Sequence, residues 1–393
     1  MNTFTKILAT IGILSLFLTS SLSASSADEK EILTRMFTLG PEQVEYTQQF
    51  SEAVSLTTMK QIVEQITDQV GSFVSVEGDE NPYTMIFEDG KVTSYISIDS
   101  QSRVAGIQFT QIISTKETLD EVIEKLIAIE KTSSLLVRKN GEAMFSHNSK
   151  TLMAVGSSFK LAVLAAVEDA VNEGSLHWNQ SVNLKDEWKS LPSGILQSWP
   201  SGISLTIETL TALMISMSDN TATDALISIV GKNDIERYLP CSGPLLTTGE
   251  LFRLKNPANI DLLNSFTRSN DMERRAILRL LKSRELPSPD LFAHDPVSID
   301  VEWFVSASTL ADLIERVEHL DVMTVNPGVA ENEQWERIAY KGGSEPGVLN
   351  LTTFLRDSDE NCYTVSYTAN NEDSPLNENE IIILYQNLLN KLK

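Results

Sequence analysis

The spacing of hydrophobic positions changes several times along the chain, and each change predicts a different element. Residues 30–70 carry helical spacing that ends in the amphipathic run TMKQIVEQITDQV. From Gly71 to Thr110 the period shortens to two. Tyr83, Met85 and Phe87 alternate with polar residues, then Ile96 and Ile98, then Ala105, Ile107 and Phe109. The turn-forming clusters GDENP, EDGK and DSQS separate these runs, so a helix followed by an antiparallel meander is predicted. From Thr115 the pattern changes again. TKETLDEVIEKLIAIEKT places Leu119, Val122, Ile123, Leu126 and Ile127 on one helical face, and SSLLVRKNGEAMFSHNSK reads as a hairpin turning at Asn140-Gly141. Helices then alternate with strand-like runs such as VLNLTTFLRD and NCYTVSYTA, up to a closing helix NENEIIILYQNLLNKL. The expected class is α+β, with a small helix-plus-sheet domain over residues 28–113 and a larger domain over 114–393.

Composition narrows the possible partners. A chain of 393 residues with a formal net charge of −23 is a poor fit to nucleic acid or to an anionic membrane surface. An anionic substrate would need a locally positive pocket. The two cysteines, Cys241 and Cys362, form neither a disulfide framework nor a metal pattern, and one bridge between them is left open. Four scattered histidines lack ligand spacing, so no metal and no cofactor are expected. Residues 1–27, MNTFTKILATIGILSLFLTSSLSASSA, combine one lysine, a short apolar run and small residues before the expected cut. They read as a secretory signal peptide, which predicts a periplasmic or secreted protein with no stable membrane span.

Three polar interruptions carry the candidate chemistry. In LMISMSDNTATDALI, Ser218, Asp219 and Asn220 stand between apolar residues at helical spacing. Ser, Asp and Asn are preferred helix N-caps, and Asp224 could support the first turn, so a plain helix junction explains the triplet taken alone. In AVGSSFKLAVLAAVEDAV, Ser157 and Lys160 are three apart and project from one face near a helix start. A desolvated lysine there can take the serine proton, although such a pair also arises by chance. In IAYKGGSEPGVLNLTTFL, Lys341-Gly342-Gly343 follows a strand, and glycines beside a strand let a ligand approach the backbone.

Together the three fragments resemble the serine β-lactamase and penicillin-binding protein superfamily, whose signature is Ser-x-x-Lys, Ser-Asp-Asn and Lys-Thr-Gly in that order. The separation of Ser157 and Ser218 and their helical settings fit its class A branch, and the resemblance covers residues 115–393. It implies an α/β lobe and an all-helical lobe with a cleft between them. It also implies Ser157 as the acylated nucleophile, Lys160 as its base and Ser218 as a proton relay. Asn220, Lys341, Gly343 and Ser344 would bind substrate, with the N–H groups of Ser157 and Ser344 as the oxyanion hole. The preceding region resembles an NTF2-like or cystatin-like domain, as in the fused β-lactamase-fold proteins of clavulanic acid clusters.

Two departures from the pattern stand out. Lys-Gly-Gly replaces Lys-Thr-Gly and so lacks a hydroxyl that Ser344 could supply. The Glu-x-x-Leu-Asn loop that holds the deacylating glutamate of class A is not found. Glu236, in ERYLP, reads as an exposed residue at a helix end, and Glu250 lies behind a Thr-Thr helix start. A secreted serine hydrolase acting on a β-lactam or a small ester is therefore expected, with slow turnover. A D-alanyl-D-alanine carboxypeptidase acting on cell-wall peptide, and a non-catalytic ligand-binding protein on the same fold, are the alternatives.

Overall fold

The computed structural model describes residues 26–239, 243–330 and 334–392. The expected leader, apart from its last two residues, and Cys241 lie outside the described residues; Cys362 is a free thiol. The chain forms two compact units. One runs to Leu126 and takes in the C-terminal segment from Asn377; the other spans Ile127–Leu376.

In the first unit three helices, α1 (Ser26–Thr38), α2 (Gln48–Ala53) and α3 (Leu56–Val70), precede four strands. The strands β1 (Phe73–Glu77), β2 (Tyr83–Phe87), β3 (Gly90–Ile98) and β4 (Val104–Ser114) form an antiparallel meander in sequence order. Ser55 caps α3 by accepting from the Thr58 amide at 3.1 Å, and Met59, Ile62, Ile66 and Val70 form its buried face. Tyr83, Met85, Phe87 and Ile96 point into the same core. The expected alternation fails at Ala105, which is exposed while Val104 is buried. The β3–β4 register slips between Ser97 and Ile98, and the extra residue in β4 turns Ala105 outward and puts Val104 inward. A second slip near Thr93 moves burial from Phe109 to Ile112 and Ser114.

The helix α4 (Leu119–Ala128) buries Val122, Ile123 and Leu126. The second unit then opens with the hairpin β5 (Thr132–Lys139) and β6 (Glu142–His147). Its turn residues Asn140 and Gly141 both have positive φ, as a two-residue hairpin turn requires. After a short strand β7 (Met153–Ala154) comes a helical region of α5 (Lys160–Asn172), a ribbon of β8 (Ser181–Asn183) with β9 (Ser204–Thr206), α6 (Ile207–Ser216), α7 (Asn220–Val230), α8 (Lys232–Glu236), α9 (Thr248–Leu254), α10 (Ile260–Arg268) and α11 (Asp271–Leu281). Strand β10 (Phe304–Val305) pairs back to β7, and α12 (Ala307–Val317) packs on the main sheet.

That sheet is completed by β11 (Arg337–Glu345), β12 (Val348–Arg356) and β13 (Cys362–Asn370), all antiparallel, in the order β11-β12-β13-β5-β6. Strands β12 and β13 are buried over nearly their whole length, which is why VLNLTTFL does not alternate in sequence. The polar residues on them are satisfied across the pair: Asn350 donates to Tyr367 O and Thr368 Oγ1, both at 2.9 Å, and Thr352 bonds to Ser366. Helix α5 is apolar almost all round and sits inside the helical core against α7, α8 and α12.

The closing helix α13 (Glu378–Asn390) groups with the first unit, although the sequence pattern assigned it to the second region. Its Ile383 packs on the meander core, Asn387 Oδ1 accepts from the Ser114 amide at 3.4 Å, and Lys391 donates to Ser114 O at 3.1 Å.

Candidate active site

The serine is placed by a backbone crossing. The Val155 amide donates to Trp303 O at 3.1 Å beside the β7–β10 pair, and the chain then tightens into the short helical turn Gly156–Phe159. Phe159 stacks on Trp303 with ring centroids 4.0 Å apart, which fixes the turn against the core. Strand β11 presses on it from the other side. A Cβ on Gly343 would stand 2.2 Å from Val155 O and 2.4 Å from Ser157 N, so only glycine permits this approach. A Cβ on Gly156, whose φ is +49°, would lie 3.2 Å from Ser344 N. The amides of Ser157 and Ser344 therefore border one small space.

The Ser-Asp-Asn triplet is both a helix junction and a wall of that space. Helix α6 ends at Ser216, Ser218 takes a positive φ of 54°, and Asp219 becomes the N-cap of α7. Asp219 Oδ1 accepts from the Ala222 amide at 2.8 Å. Its other oxygen accepts from the Ile195 and Leu196 amides at 2.7 and 2.9 Å, tying the loop 193–196 to the junction. Asn220 turns inward. Its Oδ1 accepts from Lys160 Nζ at 2.7 Å while its Nδ2 donates to Leu191 O at 3.1 Å.

Two lysines meet at Ser218. Lys160 Nζ donates to Ser218 O at 2.7 Å and lies 3.1 Å from Ser218 Oγ. Lys341 Nζ, arriving from β11, is 3.1 Å from the same Oγ. Both side chains are almost fully buried. Burial, and then the neighbouring charge of Lys341, holds the Lys160 amine well below its usual range; burial alone brings Lys341 down to about 7. A neutral Lys160 has two hydrogens, matched by the two carbonyl oxygens at 2.7 Å, and one lone pair left over.

Asp224 does not support the first turn of α7. It is buried and accepts from the Thr248 and Gly249 amides at 2.7 and 2.9 Å, the first two of α9, beside the helix's own N-cap Thr247. Burial pushes its carboxyl up to about 6. Thr248 also donates to Ser190 Oγ at 2.7 Å, so a buried polar network backs Asn220. Only the tertiary fold brings residue 248 to residue 224.

Comparison with known proteins places this geometry. Residues 115–287 match the Beta-lactamase enzyme family, a stretch under half the chain that includes Ser157 and Ser218 but stops before Lys341. β-Lactamase VEB-1 of Pseudomonas aeruginosa is 26% identical over 142 residues, 33% of this chain and 46% of that protein, so the match spans about half the length of that relative. An ancestral (GNCA) class A β-lactamase superposes with a TM-score of 0.50 at 13% identity, covering 70% of this chain and all of the other. The chain carries a serine β-lactamase fold. Two further solved structures align over 70% of the chain. These are a β-lactamase from Sphaerobacter thermophilus DSM 20745 (20% identity, TM-score 0.49, 97% of that chain) and PBP-A (16%, 0.47, 96%).

Within this β-lactamase fold, Ser157, Asn220 and Ser344 line one cavity of about 340 Å³ that also touches Leu251, Phe252, Trp303 and Pro346. Glu302 and Glu345 are the carboxylates on its lining. Neither was visible as a site residue in the sequence, because no local motif marks them. Lys255 Nζ, itself buried, stands 2.5 Å from a carboxylate oxygen of each. Burial first, and then the charge of Glu345, pushes the Glu302 carboxyl well above its usual range. Glu250 is elsewhere: it closes a capping box with Thr247 at the start of α9 and pairs with Lys232. Glu236 is half-buried, not exposed as its helix-end position suggested. It accepts from the Leu245 amide at 2.8 Å and pairs with Arg275 at 2.6 Å. Among the described residues no group of His, Cys, Asp and Glu could hold a metal, and no helix is long and apolar enough to cross a membrane.

Proposed function

We propose that this protein is a serine hydrolase of the β-lactamase type that forms an acyl-enzyme at Ser157 with a β-lactam or a small ester. The carrying observation is the buried Lys160 amine, held by Ser218 and Asn220 one helical turn from Ser157, with its proton affinity lowered by burial and then by the charge of Lys341. In the reaction so read, Ser157 Oγ bonds to the substrate carbonyl carbon and its proton passes to Lys160 Nζ. The oxyanion takes hydrogen bonds from the Ser157 and Ser344 amides. Collapse breaks the acyl bond, and the leaving nitrogen or oxygen receives its proton through Ser218 Oγ, which lies 3.1 Å from both lysines. Asn220 has one amide hydrogen left for the substrate, and Lys341 attracts a substrate carboxylate. A leader over residues 1–27 and export from the cytoplasm complete the reading. The three helices and meander of the first unit support its likeness to NTF2 or cystatin domains.

Deacylation is the slow half. It needs a base beside a water, and the two carboxylates on the cavity lining are both engaged by Lys255. The test is intact-mass measurement after mixing with a penicillin-type probe or a fluorophosphonate, together with rapid mixing with a chromogenic β-lactam. One adduct per chain, lost in Ser157→Ala with the fold retained, and a burst close to one equivalent are expected. Labelling that survives Ser157→Ala at wild-type level would overturn the nucleophile assignment; linear turnover without a burst would overturn slow deacylation.

A further inference from the structure

We propose that Lys255 is a positioning residue of the oxyanion hole, and that by pairing with Glu302 and Glu345 at once it sets the spacing between the Ser157 and Ser344 amides. The inference rests on the hydrolase reading above and extends it to three residues outside the motifs.

The two amides arrive on separate elements. Ser157 rides on the turn Gly156–Phe159, which Trp303 holds through the Val155 amide and the stack on Phe159. Ser344 rides on β11, the outermost strand of its sheet, with one edge paired to β12 and Gly343 pressed on the turn. At the Lys341 end, Ser158 Oγ donates to Lys341 O at 3.4 Å and ties the strand to the turn. At the Ser344 end the ladder runs out: Ser344 pairs with Leu349, and Glu345 with Val348 is the last pair before the hairpin turn.

Lys255 supplies the tie at that end. Glu302 immediately precedes Trp303, and Glu345 immediately follows Ser344. Lys255, at the C-terminal end of α9, holds its Nζ 2.5 Å from a carboxylate oxygen of each. One ammonium thus joins the segment that holds the serine turn to the strand that carries the second amide. The Lys255 and Glu302 side chains are fully buried, that of Glu345 is 14% exposed, and both carboxylates lie on the lining of the Ser157 cavity. Burying three ionisable groups is a poor route to stability, since apolar residues of similar volume often serve as well or better. Glu302 Oε2 is, in addition, buried without a hydrogen-bond partner. A cluster this unfavourable to the fold, placed beside the reacting serine, is explained by the geometry it imposes. A misplacement of about 1 Å can lower a rate about 10²-fold, and loss of one oxyanion-hole donor about 10²–10³-fold.

The test measures three quantities: the saturating acylation rate with a penicillin-type probe, its half-saturating concentration, and the affinity for a boronic acid, which forms a tetrahedral anion on serine. Glu345→Ala cuts the tie to β11 and leaves the Lys255–Glu302 pair. It should lower the saturating rate about tenfold or more, weaken the boronic acid in parallel and leave half-saturation within about twofold. Glu345→Gln keeps an acceptor for Lys255 and should stay within about threefold of wild type in all three. Destabilisation alone would reduce the fraction of chains that label, which intact mass counts, and not the rate of those that do. Lys255→Met combined with Glu302→Gln and Glu345→Gln removes every charge at similar volume, and should fold yet acylate as slowly as Glu345→Ala. A wild-type rate in Glu345→Ala or in the folded triple variant, or equal losses in Glu345→Ala and Glu345→Gln, would overturn the Lys255 assignment alone. Absence of any Ser157 adduct in the wild type would overturn the hydrolase reading and this assignment with it.

Discussion

The meander of the first unit and the cleft of the second are built on opposite principles. In the meander, Tyr83, Met85 and Phe87 face inward and alternate with Thr84 and Ile86, and neighbours in sequence are neighbours in the sheet. Some of its polar contacts are local, as in the turn where Asp99 pairs with Arg103 at 2.6 Å. In the cleft, two lysines, an aspartate and an asparagine are buried, and the lysines reach side-chain and carbonyl partners 58 to 123 residues away in the chain. Burying such groups costs stability unless each finds a partner, so the cleft fixes geometry at the expense of the fold. Function concentrates where the packing rules are violated, and the meander shows what the chain looks like where they are obeyed.

Four substitutions sharpen or break that contrast. Asp219→Ala strands three backbone amides, those of Ala222 and Leu196 buried and that of Ile195 part-buried, and should cost about 3–5 kcal/mol in chemical denaturation along with most probe labelling at Ser157. A loss under about 1 kcal/mol would mean the junction is not held by this carboxylate. Met85→Ala, fully buried in the meander core, should cost about 2–4 kcal/mol while Ser157 labelling below the unfolding temperature stays unchanged. Reduced labelling there would erase the division of labour between the two regions.

Lys341→Met tests the cost of buried charge. The folded pKa of Lys341 is about 7 against about 10.4 when unfolded, so the unfolded chain holds the extra proton between those values. The penalty is full below pH 7 and relieved as pH rises toward 10, so wild-type stability should climb over that window. The variant should climb less, by on the order of 2 kcal/mol, in denaturation curves at pH 7 and 10. Lys160 contributes a slope of the same sign in both proteins, and because the Lys341 charge also lowers Lys160, the difference reports the lysine pair. Asp99→Ala, by contrast, removes an exposed turn contact and should cost under about 1 kcal/mol by the same measurement.

Much of this was legible in the chain itself. The meander, the Asn140-Gly141 hairpin, the amphipathic α4 and the three motif-bearing segments follow from spacing that local physics reads directly: period two for strands, 3.6 for helices, positive φ at Asn-Gly turns. Side chains close in sequence need no long-range information to share a face. That is why Ser157 and Lys160 could be paired before any fold was known.

The tertiary structure decided the rest. A bulge beside Ala105 turned that residue outward and put Val104 inward, while Ile107 and Phe109 kept the expected face. Asp224 bound the first amides of α9, Glu236 became half-buried against Arg275, and Lys255 gathered Glu302 and Glu345, all through contacts that carry no sequence period. Local pattern fixes which face a residue takes on its own element. Which residues meet across elements is set by packing, and the charges of the cleft depend on that meeting, since a lysine is basic or not according to what surrounds it.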